Sequence, residues 1–309
     1  MPGVTVVRDE DACRELWGRL MPDELFCDLW DVRGCFHRHF ARPLHFVVAE
    51  SGDGVEGALP LCWVEESGCY ACFPGETWEG TTWLEQNRLL LRRREALDLL
   101  LEQCPEYHLR YLLPPLPNWD GSGVVDETGY LFHPPMYGYD LERYFSEFRP
   151  KTAKRLRREI AAFEKMDLTF RHDTDGAFDE MMRLNVERFG PRSYFHDPRF
   201  REGFRDLIDL LDRRGWLRVT TVALRDEVAA VDLGCIYRGT YTLLAGGTDA
   251  RYPGVAKLIN MHHIEYACAA RLEAVDFLCG DFNWKAMFHL TPRPLYLLSN
   301  LPPGRVGGH

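Results

Sequence analysis

The sequence predicts an α/β protein with mixed sheets, built from two tandem domains that repeat one order of secondary-structure elements. Three observations lead to this prediction. The chain has 309 residues, which is long for one hydrophobic core and sufficient for two domains. Apolar runs of strand length alternate with segments of helical period through both halves. Residues 240–257 read as a strand, a glycine-bearing loop and a helix, an arrangement that presents free backbone N–H groups to an anion.

The composition indicates a globular chain with an acidic net charge. Hydrophobic residues make up 46% of the sequence, and the formal net charge is −10. This charge disfavours nucleic acids and anionic membranes as the main partner, because both need clustered positive charge. No window approaches the ~20 apolar residues of a membrane helix, and no secretory signal pattern opens the sequence. We therefore expect a cytoplasmic protein without a membrane partner, whose 10 cysteines are reduced thiols.

The first half, predicted as a domain of residues 1–140, begins with a strand and two helices and continues as a strand meander. Asp9 and the two acidic residues after it suit a helix N-terminus, and the turn composition of 51–54 predicts a hairpin. The stretch 114–135, rich in Pro, Gly and Asp, is predicted as an irregular connection. The predicted strands are 4–8, 45–49, 55–64, 69–73 and 109–113, and the predicted helices are 9–20, 26–40 and 82–104.

The second half, predicted as a domain of residues 141–309, repeats this order. Apolar residues at helical spacing mark 198–213, and a β-rich meander covers 217–246. Because the order recurs after ~140 residues, we interpret the chain as a duplicated domain. The predicted strands are 168–172, 217–225, 228–237, 241–246, 275–279 and 295–299, and the predicted helices are 145–166, 175–189, 198–213 and 255–272.

The glycine-bearing loop carries a short motif that suits a phosphate. Arg251, Gly254 and Ala256 follow the spacing R-x-x-G-x-A, after an expected strand break at the glycine pair 246–247. Small residues at 254 and 256 let a phosphate approach the backbone, while the helix dipole and the free N–H groups supply positive potential. The loop therefore indicates an anion site at a helix N-terminus.

The element order and this loop resemble those of the GNAT acyltransferase superfamily. Its members carry a Gln/Arg-x-x-Gly-x-Gly/Ala signature that binds the pyrophosphate of coenzyme A, and Arg251, Gly254 and Ala256 stand at that place in the order. The resemblance is sharper to the branch of CelD-like acetyltransferases and Fem-type aminoacyltransferases, which is built from tandem GNAT units. The segments that carry it are 247–249 with Tyr252, 276–281 with Lys285, and the basic helix 150–158.

Two departures from the branch pattern affect the interpretation. Trp284 replaces the Tyr that usually precedes the Lys of the Asp-Phe-Leu-x-Gly…Tyr-Lys block. The loop before the helix is shorter than in CelD-like sequences, because Pro253 and Gly254 follow Tyr252 at once. This shortening makes the loop similar to an ordinary coenzyme-A-binding GNAT loop.

The resemblance implies two tandem GNAT-like domains, of which the N-terminal one is degenerate and shapes the acceptor cleft. It implies an N-acyltransferase that moves an acyl group from acyl-coenzyme A to an amine of a small molecule or peptide bound between the domains. The strand after Gly239 should separate from the strand at Val275 and leave a backbone notch for the pantetheine arm. The residues assigned to coenzyme A are Arg251, Gly254, Val255, Ala256 and Lys257 on the loop and helix, with Leu244 and Ala245 on the strand.

Five residues are candidates for the chemistry of acyl transfer, each with a structural alternative. Asp249 faces the expected notch but also suits a turn-forming role. Asp232, in the middle of an apolar strand, is either on the cleft face or paired. Asp281 and Lys285 belong to the branch block but are spaced for a surface ion pair. Tyr252 could protonate the departing thiolate, and is otherwise a packing residue of the loop.

Two alternative functions stay open, and a metal site is not expected. A Fem-type transferase would take an aminoacyl group from charged tRNA and contact its phosphates through the basic run 149–158, whereas a non-catalytic binding protein would keep only the fold. Cys69 and Cys72 form a C-x-x-C without a second pair at zinc spacing. His262 and His263 are adjacent on a helix and cannot chelate one ion together.

Overall fold

The structure is a computed structural model that describes residues 2–114, 124–280 and 284–302. It confirms a mixed α/β architecture. The predicted domain ranges 1–140 and 141–309 remain a prediction. The chain forms two compact units, and two short segments of the second half belong to the first unit. Unit 1 comprises Met1–Thr128, Asp197–Leu207 and Pro294–His309, and unit 2 comprises Gly129–His196 and Ile208–Arg293.

The elements follow in chain order. The first half contains β1 (Gly3–Val7), α1 (Glu10–Leu20), α2 (Trp30–Phe40), β2 (Leu44–Ser51), β3 (Gly54–Val64), β4 (Cys69–Cys72), β5 (Leu90–Leu91), α3 (Glu95–Leu101), β6 (His108–Leu112) and β7 (Val124–Phe132). The second half contains α4 (Leu141–Phe145), α5 (Pro150–Glu164), β8 (Leu168–Arg171), α6 (Ala177–Phe189), α7 (Pro198–Arg213), β9 (Leu217–Leu224), β10 (Glu227–Tyr237), β11 (Thr240–Thr248), α8 (Val255–Ala269), β12 (Ala274–Asp276), α9 (Trp284–Met287) and β13 (Thr291–Ser299). Within the described ranges, none of these helices has the length and apolar character needed to cross a membrane.

Unit 1 is organised on an antiparallel sheet with the strand order β1-β2-β3-β4, and β5 also pairs with β3. Helix α1 begins where Asp9 predicts, because its side chain accepts the N–H of Ala12 at 3.0 Å. Aromatic rings fill the space between the first helices and this sheet, and the rings of Trp30 and Phe73 stack at 4.7 Å. The unit therefore has its own hydrophobic core.

Unit 2 is organised on a mixed sheet with the strand order β7-β12-β11-β10-β9-β8. Among the described strand pairs of this part of the sheet, only β11–β12 is parallel, and the meander β9-β10-β11 is antiparallel. Helix α8 packs Val255, Leu258 and Ile259 into a core that includes Val222 and Leu224 of β9. The mixed sheet and the packed α8 confirm the predicted meander, glycine loop and helix.

Two glycines of β11 serve close packing rather than a strand break. The expected break at the pair 246–247 is wrong, because β11 continues to Thr248. A Cβ atom on Gly247 would lie 2.6 Å from the carbonyl oxygen of Met181, so only glycine lets α6 approach the strand this closely. A Cβ atom on Gly246 would collide with Oδ1 of Asp232.

The predicted helix 82–104 is wrong, since only α3 within it is helical. The backbone N–H groups of Trp83 and Leu84 donate to the side chain of Glu76, at 3.1 and 2.6 Å. Gln86 has a φ of 68°, which a right-handed helix excludes. Hydrogen bonds to a distant side chain therefore replace the helical ones, and neither propensity nor period reveals such a partner.

Three other predicted boundaries are also corrected by the structure. Part of the connection 114–135 is the strand β7, while 115–123 lies outside the described residues. The predicted helix 145–166 begins too early, because α4 ends at Phe145 and α5 begins at Pro150, which occupies its first turn. The strand 275–279 ends at Asp276, because Leu278 adopts a φ of 54°.

Candidate active site

The N-terminus of α8 presents free backbone amides at the R-x-x-G-x-A loop. Gly254 is the N-cap residue, with a φ of 95°, and no side chain caps the helix. The N–H of Val255 is already used, since it donates to the carbonyl of Tyr252 at 3.1 Å. The exposed amides of Gly254 and Ala256 have no hydrogen-bond partner in the described part of the chain. Together with the helix dipole, these amides can bind an anion.

The strands β11 and β12 separate next to this helix end. Beyond Thr242, β11 continues for six residues without pairing to β12, so a gap opens at this edge of β11. A register shift in the β10–β11 ladder places Leu244 as an extra, buried residue beside the partly exposed Ala245. The paired residues of β11 and β12 are Thr240 with Ala274, Tyr241 with Val275, and Thr242 with Asp276.

Lys285 holds the chain that follows β12 away from β11. Its side chain is 2% exposed, and Nζ donates to the carbonyls of Phe277, Leu278 and Cys279 at 2.9, 2.8 and 2.7 Å. The same segment pairs with the end of β7, where the N–H of Phe277 donates to the carbonyl of Tyr130 at 2.9 Å. Because these carbonyls point to an ammonium group, they are not available to β11. Lys285 therefore maintains the separation of the strands.

The rest of the Asp-Phe-Leu block is also engaged within the fold. Asp276 is 1% exposed, accepts the N–H of Leu278 at 2.9 Å, and forms an ion pair with Arg293 at 2.7 Å. Asp281 lies outside the described residues. In the described part of the block, the charged side chains thus stabilise the turn after β12.

Asp249, Arg251 and Tyr252 form a polar network in the loop. Oδ1 of Asp249 accepts the N–H of Arg251 at 2.8 Å, which is the turn role considered from the sequence, and Oδ2 is paired with the guanidinium at 2.6 Å. The hydrogen bond from Arg251 lowers the pKa of Asp249. Glu227 joins the network, at 3.0 Å from Arg251 and 2.9 Å from the hydroxyl of Tyr252. The network fixes the loop and keeps Asp249 ionised.

Helix α5 lies beside α8 and contributes charge to this region. Lys257 of α8 pairs with Glu159 at 2.7 Å, and both side chains are about one-third exposed. Leu156 and Phe163 are buried, as the predicted core spacing of α5 requires. Lys151 is exposed and makes no ion pair within the described residues. The basic side chains of α5 are thus on its solvent face.

A buried chain of hydrogen bonds joins Asp232, His263 and Tyr241. Nε2 of His263 lies 2.9 Å from Oδ2 of Asp232, and Nδ1 lies 3.2 Å from the hydroxyl of Tyr241. Burial raises the pKa of Tyr241, so its hydroxyl remains a donor. One tautomer fits both contacts: Tyr241 donates to Nδ1, and Nε2–H donates to Asp232. Asp232 is paired, as one reading of its mid-strand position proposed.

The carboxylate of Asp232 reaches the separated part of β11. Asp232 pairs in register with Gly246, and the missing side chain there leaves room for Oδ1. Its side chain is 14% exposed, whereas that of His263 is fully buried. Asp232 can therefore meet a substrate, and His263 can act only through it. The sequence singled out Asp232 but not His263, because the two are 31 positions apart and no local pattern joins them.

A comparison with protein families identifies one domain in the chain. The acetyltransferase (GNAT) domain model matches residues 150–286. This range contains β11, the loop, α8, Asp232 and His263. No curated protein matches the sequence.

Solved structures share the fold at low sequence identity. FemX is 10% identical with a TM-score of 0.58, over 96% of this chain and 97% of that one. L-PGS from Bacillus licheniformis is 10% identical with a TM-score of 0.57, over 96% and 94%. A tandem GNAT protein from the clavulanic acid biosynthesis pathway is 13% identical with a TM-score of 0.51, over 98% and 99%. These likenesses confirm the predicted tandem GNAT fold.

Proposed function

Because residues 150–286 match the acetyltransferase (GNAT) domain model, we propose that unit 2 transfers an acyl group from acyl-coenzyme A to an amine. The observation that carries the proposal is the gap where β11 leaves β12, next to the free amides of α8. Acyl-coenzyme A supplies an activated thioester. The residues of this chain bind it, orient it and accept the proton of the amine.

The donor half of the proposed site relies on backbone groups. The amides of Gly254 and Ala256 would bind the pyrophosphate, since they are exposed and have no partner among the described residues. The backbone of β11 around Ala245 would bind the pantetheine arm. The side chain of Val255 is buried, its N–H donates to Tyr252, and the side chain of Arg251 is paired with Asp249, so these two residues contribute through the shape of the loop.

The acid–base half of the proposed site centres on Asp232. A carboxylate beside the open part of β11 can accept the proton that an amine loses as it attacks a thioester. The hydrogen bond from His263 holds the carboxylate in place, and Tyr241 fixes the tautomer of the imidazole. Asp232 thus replaces Asp249 and Lys285 as the leading candidate for the base.

A charge placed at the helix end tests the donor site. Ala256→Glu adds a negative side chain at an exposed first-turn position, where it favours the helix but repels a phosphate. We expect the dissociation constant for coenzyme A to rise ~10-fold or more by calorimetry, with the melting temperature unchanged or higher. Ala161→Glu, at an exposed position of α5, is the matched control and should bind like the wild type.

Two results would contradict this donor site. One is a wild-type protein that binds no coenzyme A at millimolar concentration. The other is an Ala256→Glu variant that binds as tightly as the Ala161→Glu control.

A Fem-type transfer from charged tRNA is the second candidate. It is favoured by the exposed Lys151 and Lys154, which make no ion pair within the described residues of α5, and opposed by the net charge of −10. Gel shifts with bulk tRNA at ~100 mM salt discriminate, because binding through several phosphates would persist there. A tight complex that is lost on reversing both lysine charges would establish the tRNA reading and remove the coenzyme A proposal.

A further inference from the structure

Unit 1 contains a small polar cavity that the acyl-transfer proposal does not use. It has a volume of about 40 Å³ and is lined by α2, the end of β3 and the turn after it, β4, β6 and the loop between β4 and β5. Every lining residue belongs to unit 1. The charged members are Arg33, Glu76 and Arg110, and the thiol-bearing residues Cys69 and Cys72 lie in its wall.

Arg33 is a buried cation at this cavity. It is 2% exposed, and its guanidinium lies 5.2 Å from the ring centre of Trp17. Nε donates to the carbonyl of Cys27 at 2.7 Å, and Nη1 donates to Phe73 and to the side-chain oxygen of Asn87, at 2.5 and 2.8 Å. All three acceptors are uncharged. Nη2 has no hydrogen-bond partner among the described residues, and no carboxylate there lies within ion-pair distance.

Glu76 is a buried carboxyl group at the same cavity. It is 1% exposed, and Oε1 accepts the hydroxyl of Thr82 and the N–H groups of Trp83 and Leu84. The hydrogen bonds from these other residues all go to Oε1, and the backbone N–H of Glu76 itself also interacts with the carboxyl group. Burial raises the pKa of Glu76, so a cationic group beside Oε2 would stabilise its charged form. The cavity thus offers a free donor on a cation and an acceptor oxygen on an acid.

The other basic residues that line the cavity, Arg110 and His108, are engaged by neighbouring side chains. Arg110 is paired with Asp126 at 2.8 Å, and its ring neighbour is Tyr111 at 4.6 Å. His108 has Nδ1 at 3.0 Å from the hydroxyl of Ser299. Burial, and then the charge of Arg110, lowers the pKa of His108, so the ring is neutral at pH 7. Recognition of charge in the cavity therefore depends on Arg33 and Glu76.

The charge of Arg33 acts on Glu76 and opposes the effect of burial on its pKa, but no direct ion pair joins the two groups. A buried guanidinium and a buried carboxyl group without such contact can together bind a ligand that carries both charges. The volume admits roughly three water molecules, so only the smallest solutes that carry both charges are candidates. We propose that unit 1 binds a small zwitterionic amino acid here, with its carboxylate on Arg33 and its ammonium group on Glu76. Glycine and alanine have this size and this pair of groups. The site does not depend on the proposed acyl transfer.

A panel of small probes tests the proposal on the intact wild-type chain. Glycine, L-alanine, acetate, methylamine and L-leucine are compared by calorimetry and by saturation-transfer NMR. Glycine and alanine should bind, while acetate and methylamine, which each lack one charged group, should bind ~10-fold or more weakly. Leucine should not bind, because its side chain exceeds the cavity.

A single isosteric substitution then locates the site. Glu76→Gln keeps an oxygen for Thr82 and the two backbone amides but removes the charge that faces an ammonium group. Affinity for glycine should fall ~10-fold or more, while the weak affinity for acetate should not change. Glu65→Gln, at an exposed position of unit 1, is the matched control and should bind glycine like the wild type.

The proposal is overturned if acetate or methylamine binds as tightly as glycine, or if no probe binds at ~10 mM. It is equally overturned if a folded Glu76→Gln variant keeps the wild-type affinity for glycine. Should Glu76→Gln fail to fold, the probe comparison on the wild type decides alone. Water would then be the occupant whenever glycine and alanine fail to bind.

Discussion

Asp232 differs from the other candidate bases in what surrounds its carboxylate. Asp249 is paired with a guanidinium and serves a turn, whereas Asp232 contacts the imidazole of His263 and lies beside the open part of β11. A carboxylate next to a fixed positive charge is a weak base, because the charge stabilises its ionised form. The residue-scale account of the chemistry therefore depends on Asp232.

Asp232→Asn tests this assignment directly. The change keeps the size and the contact to His263 but removes the charge, so turnover should fall by ~100-fold or more. Affinity for coenzyme A should be unchanged, because the loop and α8 are untouched. Asp226→Asn, in the exposed turn between β9 and β10, is the control. Full activity in Asp232→Asn would exclude it as the base and make Asp281 the next candidate.

The low pKa of His262 predicts that the fold is less stable in acid. Its ring stacks on Phe170 at 3.9 Å, and burial, followed by the charges of His263, Arg218 and His172, lowers its pKa to about 4. The unfolded chain binds this proton near pH 6.5, whereas the folded chain binds it only near pH 4. The neutral ring of His262 therefore contributes fully to the free energy of unfolding above pH 6.5, and this contribution is lost as the pH falls from 6.5 to 4.

Urea unfolding at pH 7 and pH 4.5 measures the effect. Between pH 7 and pH 4.5, the free energy of unfolding should fall by about 2 kcal/mol more in the wild type than in His262→Gln. His196→Gln, at an exposed position, should lose as much as the wild type. Equal losses in all three proteins would show that His262 titrates normally in the fold.

Residue roles were predictable from the sequence only where the cause is local. The Asx turn of Asp249 was foreseen, since it joins positions 249 and 251. The partner of Asp232 was not, because His263 comes from another element. Arg33 was not singled out either: a charged residue in a helical segment is usually at the surface, and its burial follows from contacts to positions 73 and 87.

At the scale of elements, the gap beside β11 depends on the turn after β12. That turn is stabilised by one ammonium group and three carbonyls, and losing a charged donor to buried or partly buried carbonyls is costly. The resemblance to the branch block placed Lys285 in the site. The structure instead places it under the site, where it determines the path of the chain.

Lys285→Met should therefore destabilise unit 2. We expect the free energy of unfolding in urea to fall by about 3 kcal/mol or more, since three hydrogen bonds from a charged donor are lost. Lys257→Met is the control, because its ion pair with Glu159 is partly exposed and should cost less than ~1 kcal/mol. If Lys285→Met is as stable as the control and yet inactive, Lys285 contacts substrate instead.

Elements whose apolar residues recur with a clear helical or strand period were predictable. Elements whose conformation depends on residues distant in the sequence were not. Helices α1, α6 and α7 and the strands β2, β3, β9 and β10 begin and end close to the predicted positions. The segment 82–104 was wrong because Glu76 takes the backbone N–H groups that a helix would need. The glycine pair 246–247 was wrong because close packing of α6 also selects glycine.

At the scale of the whole molecule, the two units have different tasks in this account. Unit 2 contains most of the residues that match the GNAT domain model, the gap beside β11 and the α8 amides, and unit 1 contains a separate charged cavity. The tandem organisation was predictable from the repeated order of elements, and the GNAT fold from the resemblance of that order and of the R-x-x-G-x-A loop to the family. The cavity was not, because its charged residues come from positions 33, 76 and 110 on separate elements.

Hydrogen–deuterium exchange with and without acetyl-coenzyme A tests the central claim most directly. It reports on the amides of Gly254 and Ala256 and on the backbone of 243–246, which the proposed donor site uses. We predict slower exchange in 254–258 and in 243–246 when acetyl-coenzyme A is present, and unchanged exchange in unit 1. Unchanged exchange in both segments, or protection confined to α5, would contradict the account.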